Sequence, residues 1–234
     1  TMELGGKSPQ IVFADADLDK ALPVLVNAII QNGGQTCSAG SRILIEKPIY
    51  EKVAQALADR FSKLVAGPHD ADLDLGPMIN MKQRDRVAGY VDAAKDAGIP
   101  VLAEGRVKED APKGGYYHPP VLFGSVDPAS ALAREEVFGP VLALFPFEDE
   151  EKAIRLANGT EFGLVASVWT LDGARQHRVA KRVRAGQVFI NAYGAGGGIE
   201  LPFGGFRKSG HGREKGFEAL YDMSATKTMV FNHG

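Results

Sequence analysis

The chain has 234 residues, 44% of them hydrophobic and 24% charged, which is long enough to bury a substantial core in one large domain or two small ones. Its formal net charge of −2 gives no global field toward nucleic acid or an anionic membrane. A single cysteine excludes an internal disulfide framework and fits a reducing, cytoplasmic setting, and no apolar run approaches the roughly 18–20 residues that span a bilayer. The short basic patch at residues 178–184 reads as one solvated helix face.

Along the chain, helical and extended patterns alternate. Leu18, Ala21, Leu22, Leu25 and Ile29 recur at helical spacing behind the candidate caps Asp15 and Asp17. Pro23 inside that run predicts a kink or a late start. Residues 42–46 are extended. Pro48 then opens a helix carrying Ile49, Val53, Leu57 and Leu64. Residues 68–77 read as a loop and residues 81–97 as a helix stopped by Gly98. Strands are predicted at 101–104, 141–147, 165–170 and 187–191, and helices at 150–157 behind Asp149 and at 171–183. This alternation predicts an α/β fold, a mostly parallel twisted sheet flanked by helices. Residues 194–198 form a glycine-rich loop, and residues 225–231 have extended propensity with no local mate, so they suit a strand that pairs with another domain or subunit.

Three segments could carry chemistry. Cys37 stands in Gly33-Gly34-Gln35-Thr36-Cys37-Ser38-Ala39-Gly40. A lone cysteine is most often a small buried hydrophobe, but these neighbours leave the sulfur uncrowded and let a substrate approach backbone N–H donors. Glu3 precedes Leu4-Gly5-Gly6, which allows close approach of a ligand; a glutamate near a terminus is otherwise usually solvated. In Glu135-Glu136-Val137-Phe138-Gly139-Pro140 the bland reading is a charged loop anchored by Phe138. The five histidines never pair at helical ligand spacing and Cys37 has no sulfur partner, so no metal site is expected. A Ser/His/Asp hydrolase finds no G-x-S-x-G elbow.

Met2-Glu3-Leu4-Gly5-Gly6-Lys7-Ser8-Pro9, Gly34-Gln35-Thr36-Cys37, Glu135-Glu136-Val137-Phe138-Gly139-Pro140 and Leu201-Pro202-Phe203-Gly204-Gly205-Phe206-Arg207-Lys208-Ser209-Gly210 occur in this order and span nearly the whole chain. Together they resemble the NAD(P)-dependent aldehyde dehydrogenases. The resemblance implies Cys37 as the nucleophile and Glu3 as the general base that activates hydrolytic water. It implies that Glu136 holds the nicotinamide ribose, with Phe138 beside it and Leu4 beside the nicotinamide. It also implies a catalytic domain at residues 1–220 and a C-terminal bridging strand at 221–234 that builds dimers or tetramers. The expected activity is oxidation of an aldehyde to a carboxylic acid through a cysteine thiohemiacetal and thioester, with NAD favoured over NADP. Glu3 points to the hydrolytic rather than the coenzyme A-acylating branch.

The family's cofactor domain precedes the glutamate motif, and nothing here replaces it, so the chain reads as the catalytic portion of a longer protein. The alternatives are a folded or oligomerisation module without turnover and a cofactor-independent thiol esterase.

Overall fold

The computed structural model describes residues 1–194 and 198–234; residues 195–197, within the glycine-rich loop noted above, lie outside the described residues. In chain order the strands are β1 (Met2–Glu3), β2 (Pro9–Val12), β3 (Arg42–Glu46), β4 (Val65–Ala66), β5 (Val101–Glu104), β6 (Arg106–Val107), β7 (Val121–Phe123), β8 (Val141–Phe147), β9 (Val165–Trp169), β10 (Gln187–Ile190) and β11 (Gly210–His211). The helices are α1 (Leu18–Ile30), α2 (Tyr50–Phe61), α3 (Met81–Asp96), α4 (Ala131–Arg134), α5 (Glu150–Ala157), α6 (Gly173–Arg182) and α7 (Gly216–Asp222).

The central strand β3 contains the run Ile43-Leu44-Ile45, with no polar residue to face water, and all three side chains are fully buried. Such a run needs cover on both sides, the usual signature of a parallel strand. Ile43 and Ile45 pack with Leu25, Ile29, Val53 and Leu57 of α1 and α2. Leu44 points the other way, into a cluster with Val87 of α3, Leu132 of α4, Ile154 of α5 and Val179 of α6. The same alternation runs through β7 and β8. Each of these large side chains contributes roughly 1.5–3 kcal/mol by leaving water.

The seven-stranded sheet has the order β10-β9-β2-β3-β8-β7-β5. Every neighbouring pair is parallel except β5 with β7, which closes one edge antiparallel. The mostly parallel α/β sheet flanked by helices is therefore the observed architecture.

Local caps agree with the sequence. Asp17, Asn80, Asp149 and Asp172 each accept a backbone N–H at the start of α1, α3, α5 and α6. Helix α1 runs from Leu18 with Pro23 inside it, so the late start does not occur. Pro23 removes the N–H that would reach the Asp19 carbonyl, but both residues are exposed and water can satisfy that carbonyl. Residues 225–231 are exposed and lie in no strand.

Candidate active site

Strands β9, β2, β3 and β8 are parallel neighbours, so their amino ends lie along one edge of the sheet. Three of the four sequence motifs immediately precede one of them: residues 3–8 lead into β2, the Cys37 loop into β3, and residues 136–140 into β8. Topology thus brings together segments far apart in the chain.

The Cys37 loop follows α1 through the single turn Gln31–Gly34, where Asn32, Gly33 and Gly34 all take left-handed backbone conformations, with φ of 52°, 61° and 70°. Gly34 is obligatory for a second reason: a Cβ there would overlap the Gly139 carbonyl of the Glu136 loop. Gly6 meets a similar constraint, since its Cβ would overlap the Cys37 carbonyl oxygen, and a Cβ on Gly5 would overlap the Glu136 carboxylate. The Gly5-Gly6 pair is therefore pressed between the thiol loop and Glu136. The buried Gly6 donates its N–H to Glu136 Oε1 at 2.9 Å.

Helix α3 fixes the Glu136 loop through its backbone. Arg86 donates to the carbonyls of Glu136 (2.7 Å) and Val137 (2.8 Å), and Gln83 donates to those of Val137 (3.2 Å) and Phe138 (2.8 Å). Phe138 is held at φ +58°, a conformation that a bulky residue adopts at a cost and that clusters at functional sites.

Glu3 lies in β1, paired with Gly210 of β11. The fourth motif therefore supports the first: the Leu4 N–H donates to the Ser209 carbonyl, and Ser209 Oγ accepts the Gly163 N–H. Both Glu3 carboxylate oxygens are shut off from solvent and accept no hydrogen bond among the described residues. Burial, and then Glu214, raise its pKa, while Arg213 opposes them. Leu4 is partly exposed beside it, at 44%.

Cys37 is half-buried and unpaired, packed with Leu164, Phe203 and Tyr193. Burial pushes its thiol pKa up; the Ser38 N–H opposes this, and the charges of Glu136 and then Glu3 add to it. Glu136 is itself raised, by burial first, against the Gly6 hydrogen bond and the charges of Arg86 and Lys7. Cys37, Glu3 and Glu136 thus share one electrostatic environment. Among the described residues no group of three or more His, Cys, Asp or Glu is gathered to hold a metal.

Tyr193, Gln83, Arg86 and Lys7 escape the sequence reading. The Tyr193 hydroxyl donates to the Ser38 carbonyl beside the thiol. Its signal was its place between a strand and the glycine run. Gln83 and Arg86 act through backbone carbonyls, which leaves no motif.

A half-buried thiol between two raised carboxylates, with a glycine pair pressed against it, defines a thiol-centred α/β site. The aldehyde dehydrogenase family profile matches residues 1–229. Betaine aldehyde dehydrogenases of Rhizobium etli and Brucella anthropi are 41% and 42% identical over the whole chain, which spans 48% of each of them. The crystal structure of a Burkholderia cenocepacia protein described provisionally as an aldehyde dehydrogenase superposes with a TM-score of 0.96 at 63% identity, over 99% of this chain and 48% of that one. Betaine aldehyde dehydrogenase of Staphylococcus aureus in complex with NAD+ gives a TM-score of 0.89 at 39% identity, over 94% and 44%. The chain belongs to the aldehyde dehydrogenase family and spans about half the length of the relatives it matches. No helix among the described residues is long and apolar enough to cross a membrane.

Proposed function

We propose that this chain is the catalytic portion of an NAD(P)-dependent aldehyde dehydrogenase of the hydrolytic, non-acylating kind, acting in the cytoplasm. The observation that carries the reading is the convergence of Cys37, Glu3 and Glu136 around Gly5-Gly6. The same glycine pair lets the Glu136 carboxylate and the thiol loop pack against one strand entrance, since a Cβ at Gly5 would meet that carboxylate and one at Gly6 the Cys37 carbonyl, which supports a place for the nicotinamide end of the cofactor beside them. Glu136 would hold the ribose hydroxyls, with Phe138 and Leu4 flanking. The favoured cofactor is NAD, in line with the Staphylococcus aureus relative crystallised with NAD+.

In this reading Cys37 Sγ attacks the aldehyde carbon. The C–S bond forms, and the carbonyl π pair moves to oxygen, where backbone N–H groups of the thiol loop can receive it. The bound nicotinamide supplies the hydride acceptor for this oxidation. Glu3 then takes a proton from the water that attacks the thioester. The C–S bond breaks, the carboxylic acid leaves and Cys37 is restored. Because the resting thiol pKa is raised, Glu3 also suits removal of the Cys37 proton before attack. The exposed residues 225–231 would serve as the bridging strand of a homodimer or tetramer, beyond a catalytic domain at 1–220.

Betaine aldehyde is the substrate to assay first, given the relatives' names. In the full-length protein, oxidation of betaine aldehyde or another small aldehyde with NAD, abolished in Cys37→Ala, is the expected result. Oxidation that survives Cys37→Ala would refute the reading.

A further inference from the structure

The stretch that carries the thiol, residues 36–39, is held mostly by its own backbone. The Ala39 N–H donates to the Thr36 carbonyl at 3.1 Å and the Ser41 N–H to that of Ala39 at 2.8 Å, while Thr36 Oγ1 is shut off from solvent with no partner. Among the described residues, one hydrogen-bond donor from another segment reaches this stretch: the Tyr193 hydroxyl, which donates to the Ser38 carbonyl across 155 positions. Ser38 is 2% exposed, so its carbonyl depends on that donor. Tyr193 has a firm base of its own. Asn191 ends β10 at φ +50°, and its side chain accepts the Thr170 N–H and donates to the Thr170 carbonyl, both at 3.0 Å. The turn brings the Tyr193 ring to 6.2 Å from that of Phe189. Tyr193 and Cys37 then pack against the same Leu164, Val165 and Phe203. Burial holds the Tyr193 hydroxyl well above the usual tyrosine range, so it stays a donor at neutral pH.

We propose that Tyr193 is a positioning residue for the nucleophile: through the Ser38 carbonyl its hydroxyl fixes the segment Cys37–Ser38, and with it the N–H that faces the sulfur. The inference rests on the reading of Cys37 as the nucleophile. Burial raises the thiol pKa, and the Ser38 N–H opposes that rise. A Ser38 released from Tyr193 therefore gives the thiolate less support. The Glu136 loop is untouched by this, because Gln83 and Arg86 of α3 hold it separately.

Iodoacetamide labelling of Cys37 in the full-length enzyme, followed from acid to alkaline pH, tests this without reference to turnover. Tyr193→Phe removes the hydroxyl and keeps the ring against Phe189. Its labelling profile should move up by about half to one pH unit, which is roughly three- to tenfold slower alkylation at a fixed pH below the thiol pKa. Its affinity for NAD, read by calorimetric titration, should not change. Tyr193→Met, which lacks both hydroxyl and ring, should move the profile at least as far, and takes over should Tyr193→Phe fold poorly by near-ultraviolet circular dichroism. A folded variant whose profile stays at the wild-type position, whatever its urea midpoint, overturns the role of Tyr193 while Cys37→Ala remains inactive. A loss of NAD affinity as large as the loss of labelling also overturns it, since that is general loosening of the site. Turnover that persists in Cys37→Ala overturns the nucleophile reading and this inference with it.

Discussion

The Gly6 N–H donates to Glu136 Oε1 at 2.9 Å, joining residues 130 positions apart at the place where Gly6 also lies against the Cys37 carbonyl. One glycine therefore sets the spacing of thiol and carboxylate. Gly6→Ala forces its methyl group into the Cys37 carbonyl oxygen, and should destabilise the protein by about 1–3 kcal/mol and displace the thiol loop. Gly89 in α3 has open space where a Cβ would sit, with no atom within 4 Å, so Gly89→Ala should stabilise by about 0.5–1 kcal/mol. Urea unfolding of both variants checks the contrast; equal effects would contradict it.

The Cys37 thiol lies under two carboxylate charges, Glu136 acting more strongly than Glu3. Alkylation by iodoacetamide should climb with pH through neutrality without a plateau, because the raised pKa keeps the resting group a thiol. Glu136→Gln removes the stronger of the two charges, and should speed alkylation several-fold at fixed pH, more than Glu3→Gln does. A plateau near neutrality, or slower labelling in Glu136→Gln, would mean that the carboxylates do not act on the thiol this way.

Lys7, which is buried in the fold, has a stability signature. Its pKa is lowered from 10.5 to about 7. Between those values the unfolded chain holds a proton that the folded chain has lost, so wild-type stability rises with pH across that window. Below about 7 the full penalty of the buried charge is present. Lys7→Met should therefore stabilise most below pH 7, by on the order of 3 kcal/mol, and little near pH 10. Urea unfolding at pH 6 and pH 9.5 reads the difference; an equal gain at both would contradict it.

The fold was legible where side chains carry a period or a cap. Asp17, Asp149 and the run Ile43-Leu44-Ile45 announce α1, α5 and β3 directly. Strand β2 was not legible: Pro9-Gln10-Ile11-Val12 is buried throughout, so it has no alternation, and it begins with a proline. Strand β7 follows two prolines and is three residues long. Helix α7 buries none of its residues, so no apolar stripe marks it in a region that reads as glycine-rich turns. At the candidate site, the residues proposed to carry the chemistry sit in motifs and so stand out in the sequence. The residues that hold the Glu136 loop were hidden because Gln83 and Arg86 work through backbone carbonyls, which leaves no pattern in one sequence.

The proposed chemistry requires that Cys37 form a covalent acyl intermediate which Glu3 resolves. Glu3→Gln keeps the size of the side chain and removes the base, a loss that typically slows turnover by about 10²–10⁴. The direct measurement is intact mass of the full-length Glu3→Gln enzyme after mixing with aldehyde and NAD. The expected result is an acyl adduct, mapped by peptide digestion to Cys37, with slow steady-state turnover and no adduct in Cys37→Ala. A Glu3→Gln enzyme with no adduct and an unaffected steady-state rate would contradict it.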